Sequence, residues 1–117
     1  MSVAFPLVQI GLLGEAVDGA PVAILVADEH GRYTAANRFA CEMLGYTREE
    51  LVALNVADVA VASDIVAHYD AFVARGFEEG VIDIRRKDGS TVSMRYRAGE
   101  TTIAGITYYV SVGAPAD

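Results

Sequence analysis

Few residues of this chain stand where their types and spacing could do chemistry. It has one cysteine, Cys41, and two histidines, His30 and His68, and no Cys/His group has the spacing of a zinc site. Cys41 falls within a helical pattern, where a thiol is ordinarily a small buried apolar group rather than a reactive one. His30 lies in a turn between two strand patterns and reads as a surface residue. The acidic pairs Glu49-Glu50 and Glu78-Glu79 are adjacent in sequence. Neighbouring side chains point apart on a helix or strand, so both pairs read as caps and solvated charge rather than acid-base couples. There is no glycine-rich phosphate loop and no Gly-x-Ser-x-Gly elbow, and neither histidine stands beside a plausible nucleophile with an orienting acid. These residues point away from an enzyme.

The bulk numbers agree with a binding or interaction module. A chain of 117 residues makes about one domain with one core. Its residues are 53% apolar and 21% charged, so the apolar surplus must enter a core, a pocket or an interface. Net charge is −7. Arg85, Arg86 and Lys87 form one short basic run that reads as a solvated hairpin edge, and no basic face suits nucleic acid. Residues 1–13 are nearly uncharged but hold Pro6, Gln9 and Gly11, and they fall short of the ~20 residues of a membrane span. They also lack the basic start of a secretory signal. The expectation is a cytoplasmic protein without a membrane segment, consistent with a lone thiol.

The remaining pattern supplies the elements. In residues 5–17, Leu7, Ile10, Leu13 and Val17 recur at helical spacing, which predicts an amphipathic helix weakened by Gly11 and Gly14. Asp18 to Pro21 breaks it. Residues 22–27 and 32–35 read as two strands around a turn at Gly31. Asn37 is placed to cap a helix carrying Phe39, Ala40, Met43 and Leu44, which Gly45 stops. Thr47 to Glu50 has the capping-box pattern, so a second short helix starts near Arg48. Ser63 or Asp64 can cap a longer helix with Ile65, Val66, Tyr69, Phe72 and Val73 on one stripe, ending near Gly76. From Glu79 the period becomes two, with Ile82 and Ile84, then Val92, Met94 and Tyr96, then Ile106, Tyr108 and Val110. Turns are expected at Asp88-Gly89 and Gly99-Glu100, and the fold is expected to end near Val112.

The segment Ile24-Leu25-Val26-Ala27-Asp28-Glu29-His30-Gly31-Arg32-Tyr33-Thr34-Ala35-Ala36-Asn37 resembles the opening of PAS domains. It has their apolar strand, Asp-x-x-Gly turn and helix-starting Asn. Leu44-Gly45-Tyr46-Thr47-Arg48-Glu49-Glu50-Leu51 is similar to the family's next signature, and Arg85-Arg86-Lys87-Asp88-Gly89-Ser90 to its later hairpin. The matches run in order across residues 12–112. The resemblance implies an α+β fold: a five-stranded antiparallel sheet, helices on one face around a small apolar cavity, and an N-terminal flanking helix. Residues 1–20 would form the helix and lead-in, 21–112 the core, and 113–117 a tail or linker start.

The same resemblance frames the cofactor question. Light-oxygen-voltage PAS domains carry a reactive cysteine in an Asn-Cys-Arg motif, which this chain lacks, so no covalent flavin is expected. Heme-binding relatives use a histidine in the long helix. Aligning Tyr69-Asp70-Ala71-Phe72-Val73-Ala74-Arg75 with their pattern puts Tyr69 at the ligand position and His68 one step, about 100°, away from the cavity. Tyrosine can ligate ferric heme, so a heme gas sensor stands as the lesser alternative. The interior is expected to draw on Ile24, Val26, Val73, Ile82 and Ile106. Phe39, Met43, Tyr69, Phe72, Ile84, Met94, Tyr96 and Tyr108 are its candidate cavity lining. The leading expectation is a signalling domain that binds a small apolar ligand, homodimerises through its N-terminal helix, or does both. The alternative is a ligand-free protein-interaction scaffold.

Overall fold

The computed structural model describes residues 4–116. A leading helix α1 (Ala4–Asp18) precedes the hairpin β1 (Ala23–Ala27) and β2 (Tyr33–Ala36). Three short helices, α2 (Arg38–Leu44), α3 (Arg48–Leu51) and α4 (Val56–Val59), lead to the two-residue strand β3 (Ala60–Val61). The long helix α5 (Ile65–Arg75) and the strands β4 (Phe77–Arg85), β5 (Thr91–Ile103) and β6 (Ile106–Pro115) complete the chain. All pairings are antiparallel, in the order β2-β1-β6-β5-β4-β3. The five expected strands are present, and β3 adds a short sixth at the β4 edge.

Local chemistry explains most boundaries. Thr47 and Glu50 form the capping box, the Glu50 N–H donating to Thr47 Oγ1 at 3.1 Å and the Thr47 N–H to Glu50 Oε1 at 2.9 Å. Asn55 and Asp58 form a second one that starts α4. Gly31 sits at φ +83° in the β1–β2 turn, and a Cβ there would lie 2.9 Å from Asn55 Oδ1. Glycine answers both constraints. Asp64 stands at the α5 N-cap but in left-handed geometry, with no side-chain cap bond, so the cap expected from Ser63 or Asp64 is absent. On α5 itself, Phe72 is buried while Val66 is 65% exposed, which removes Val66 from the expected stripe.

Strand alternation corrects several expectations. The last hairpin turns at Ala104-Gly105 rather than Gly99-Glu100, because Gly99 lies inside β5, opposite Phe77 and Val110. That register turns Tyr109, Ser111 and Gly113 to the helix side and Tyr108, Val110 and Val112 to the other. In β1, Ala23, Leu25 and Ala27 are buried, while Ile24 and Val26 lie on the outer face. Ile106 is exposed at the hairpin tip. Strand β6 also continues past Val112 to Pro115, pairing Gly113 with Tyr96 and Ala114 with Arg95. A Cβ at Gly113 would sit 2.9 Å from the Arg95 carbonyl oxygen, so the sheet closes there only over glycine.

One side chain joins three of these elements. Asn37 is 4% exposed. Its Oδ1 accepts from the Ile24 N–H at 2.9 Å and the Ala40 N–H at 3.1 Å, and its Nδ2 donates to the carbonyls of Val17 at 2.8 Å and Val22 at 2.9 Å. It caps α2, holds β1 and ties down the end of α1. Asp18 of α1 pairs with Arg38 and Arg48 beside it. The hairpin between β4 and β5 grips α2 from its other end. The Lys87 N–H donates to the Leu44 carbonyl and Arg86 Nε to the Met43 carbonyl, both at 2.9 Å, which satisfies carbonyls a helix end leaves free. Arg86 and Lys87 of the basic run are therefore structural clasps rather than a solvated edge.

Replacing Asn37 with Ala removes four hydrogen bonds and strands buried backbone groups. It should cost about 2–4 kcal/mol, read as a lower urea midpoint with an unchanged m-value. A loss under about 0.5 kcal/mol would show that Asn37 does not organise the fold.

Candidate functional site

Part of the inner face of the sheet is lined by small residues: Ala27 on β1, Ser111 on β6 and Ala98 on β5. Large residues roof it. Tyr69 and Phe72 of α5 meet Tyr109 of β6 in an edge-to-face trio, with ring centroids 5.4–6.3 Å apart. Small floor and rigid roof leave a cavity of about 90 Å³. Leu25, Leu44, Val59, Ile82, Ile84 and Met94 supply most of the remaining wall. Among the described residues, no group of three His, Cys, Asp or Glu side chains could hold a metal ion.

Polar groups in the wall are few, and most are occupied. The Tyr69 hydroxyl donates to the Asp28 carbonyl at 2.7 Å, which fastens α5 to the β1–β2 turn. Glu78 accepts from the Tyr96 hydroxyl, from Arg75 Nη2 at 2.8 Å, and stands 2.9 Å from His68 Nε2. Glu78 is only 13% exposed and His68 47%, so this cluster closes the cavity where α5 meets β4. Burial alone would raise the Glu78 carboxyl. Hydrogen bonds from Tyr96 and His68, with the charges of His68 and Arg75, outweigh it and hold the group below its ordinary 4.5. Burial, then the Glu78 carboxylate, pushes the Tyr96 phenol up. Cys41 lies outside the cavity, its thiol pushed up by burial and by Glu49 and Glu42, the opposite of an activated nucleophile.

The sequence pattern of the PAS domain family matches residues 21–109. The chain belongs to that family. Solved structures agree on the fold. The PAS domain of an HTR-like protein from Haloarcula marismortui superposes with a TM-score of 0.83 at 19% identity, over 95% of each chain. A PAS domain from a two-component sensor histidine kinase gives 0.83 at 14% identity, over 95% of this chain and 99% of that one. An RNA-binding light-oxygen-voltage receptor gives 0.81 at 21% identity, over 98% of this chain but 35% of that longer one. No curated protein matches the chain.

Within this PAS domain, Tyr69, Phe72, Ile84, Met94 and Tyr96 come together around the cavity. Phe39 and Met43 do not reach it; they pack on the edge of the core. Tyr108 stands on the outer face, and Tyr109 takes the inner position, one residue on. His68 is a second correction: it borders the cavity instead of turning away, drawn to Glu78. Glu78 is the third, since it is part of the wall rather than solvated charge. Its parity with Ile82 and Ile84 along β4 was the available signal. Tyr33, opposite Ala27 on the inner face, and Ser111 are lining residues that the sequence pattern did not single out.

Because Glu78 titrates lower when folded than when unfolded, its stabilisation is complete above the ordinary carboxylate range and lost as pH falls through the folded value. Glu78→Gln should cost about 1–3 kcal/mol at neutral pH and flatten the acid limb of a stability-versus-pH curve. An acid limb with unchanged slope in the variant contradicts the assignment.

Proposed function

We propose that this PAS domain is a non-catalytic signalling module of the cytoplasm. It takes a small apolar ligand into the cavity beneath α5 and homodimerises through α1. The observation that carries the reading is apolar surface with nothing over it. Phe5, Leu7, Val8, Ile10, Leu12, Leu13 and Val17 of α1 are 43–67% exposed, and at 100° per residue they spread round the whole helix instead of forming the expected single stripe. Phe77, Val81, Ile103, Ile106 and Val112 are also exposed on or beside the outer sheet face. Contiguous apolar surface of this kind marks an interface. A second copy supplies both halves, its α1 and its outer sheet face. No helix is long and apolar enough to cross a membrane among the described residues, and the net charge of −7 disfavours nucleic acid.

The cavity supports a ligand smaller than the cofactors that PAS relatives hold. A cavity of roughly 150 Å³ accommodates benzene, so about 90 Å³ does not take heme or flavin without lifting α5. The modest volume also favours the second reading, an interaction scaffold with no ligand. Asn37 offers the route between the two activities. Leu44 of α2 borders the cavity, and Asn37 bonds both α2 and the end of α1.

Leu13→Glu should convert a solution dimer to monomer, measured by light scattering during size exclusion; an undiminished dimer rules out α1 as the contact. In native mass spectrometry of the purified protein, a small co-purifying mass of neutral type supports sensing. A clean apo mass with no near-ultraviolet or visible chromophore favours the scaffold.

A further inference from the structure

Resting on the ligand reading above, one wall residue narrows the ligand's chemistry. Tyr33 is 7% exposed, lies opposite Ala27 on the inner face and lines the cavity. Among the described residues its hydroxyl makes no hydrogen bond, whereas those of Tyr69 and Tyr96 are bonded to Asp28 and Glu78. Among the described residues no fully enclosed side-chain polar atom lacks a partner, so the Tyr33 hydroxyl borders open space, and the space Tyr33 lines is the cavity. A buried hydroxyl left without a partner is costly, and native proteins rarely carry one without a water or ligand to meet it. A water needs two to four polar partners; the groups that act on Tyr33 are Asp58 and Tyr69, and Asp58 already accepts from the Asn55 N–H while the Tyr69 hydroxyl donates to the Asp28 carbonyl.

Charge and size fix the rest. Glu78, the one carboxylate in the wall, already has Tyr96, Arg75 and His68 around it, and no uncommitted cation lines the space to receive an anion. Scaling from the benzene-sized cavity of about 150 Å³, a cavity of this volume suits roughly four heavy atoms. We infer that the ligand is a neutral short-chain ketone, aldehyde or alcohol, its one polar group hydrogen-bonded to the Tyr33 hydroxyl and its carbons filling the space above Ala98.

Three probes of one shape test this: acetone, isobutene and acetate, each titrated against the full chain with ¹³C-labelled methyl groups. Saturable shifts are expected at Leu25, Leu44, Ile84 and Met94 with acetone, and binding of acetate at least tenfold weaker. Tyr33→Phe should lower the ratio of ketone to alkene affinity about five- to tenfold. It should leave the melting temperature unchanged or raised, since the lost hydroxyl has no protein partner. In the wild type, nuclear Overhauser contacts from the Tyr33 ring to the ketone methyl groups read the same pose without a variant. An unchanged ketone-to-alkene ratio, or acetate binding as well as the ketone, overturns the ligand class while leaving a ligand-binding cavity intact. If none of the three moves these methyls, the cavity takes no ligand and both readings fall.

Discussion

Four hydrogen bonds from one buried amide hold this domain in its arrangement. Asn37 presents both an acceptor and a donor to backbone groups of α1, β1, the segment leading into β1, and α2. Neither aspartate nor leucine can do both, because one lacks the donor and the other lacks either function. Without it the first strand, the first core helix and the flanking helix would each need another anchor. The side chain's own burial makes the arrangement all or nothing, since a partly satisfied amide at this depth costs more than an apolar residue.

Downstream of that anchor, side-chain size along the strands decides what the interior becomes. The pleat sends alternate residues to opposite faces, and among the inward positions of the central strands Ala98 and Ser111 are small. Above them α5 brings aromatic rings that cannot collapse into the gap, because Tyr69 is fastened to Asp28 and packed edge-on to Phe72 and Tyr109. The polar cluster around Glu78 then closes the seam between α5 and β4. The seam is ionic and the rest is mostly apolar, so the interior presents a neutral surface with the hydroxyls of Tyr33 and Ser111 to offer.

The fold was legible where local chemistry is strong. The Asn37 cap, the Thr47 and Glu50 box, the Asp88-Gly89 hairpin and the Gly31 turn each follow from residue types that satisfy particular backbone groups. Legibility failed where both faces of a strand are apolar. In β6, Tyr108 and Tyr109 are equally suited to either face, and Gly99 looked like a turn because glycine serves turns and strand interiors alike. Only pairing with β5 sets that register. The second capping box at Asn55 and Asp58 was written in the sequence yet hidden in a run of valines and alanines. Glu78 was misjudged because charge suggested solvent, while its strand parity with Ile82 and Ile84 pointed inward and Tyr96, Arg75 and His68 made burial tolerable. For α1, the spacing of four residues suggests a stripe, but Phe5, Val8 and Leu12 between them carry apolar surface to the other faces.

The ligand site depends on a space kept open by a floor of small residues under a rigid aromatic roof. A crystal pressurised with xenon examines that space directly, because xenon enters apolar cavities without needing a polar partner. A single ordered xenon is expected in the space lined by Leu25, Leu44, Ile84 and Met94. Those side chains closed on one another with no xenon among them would contradict the open space.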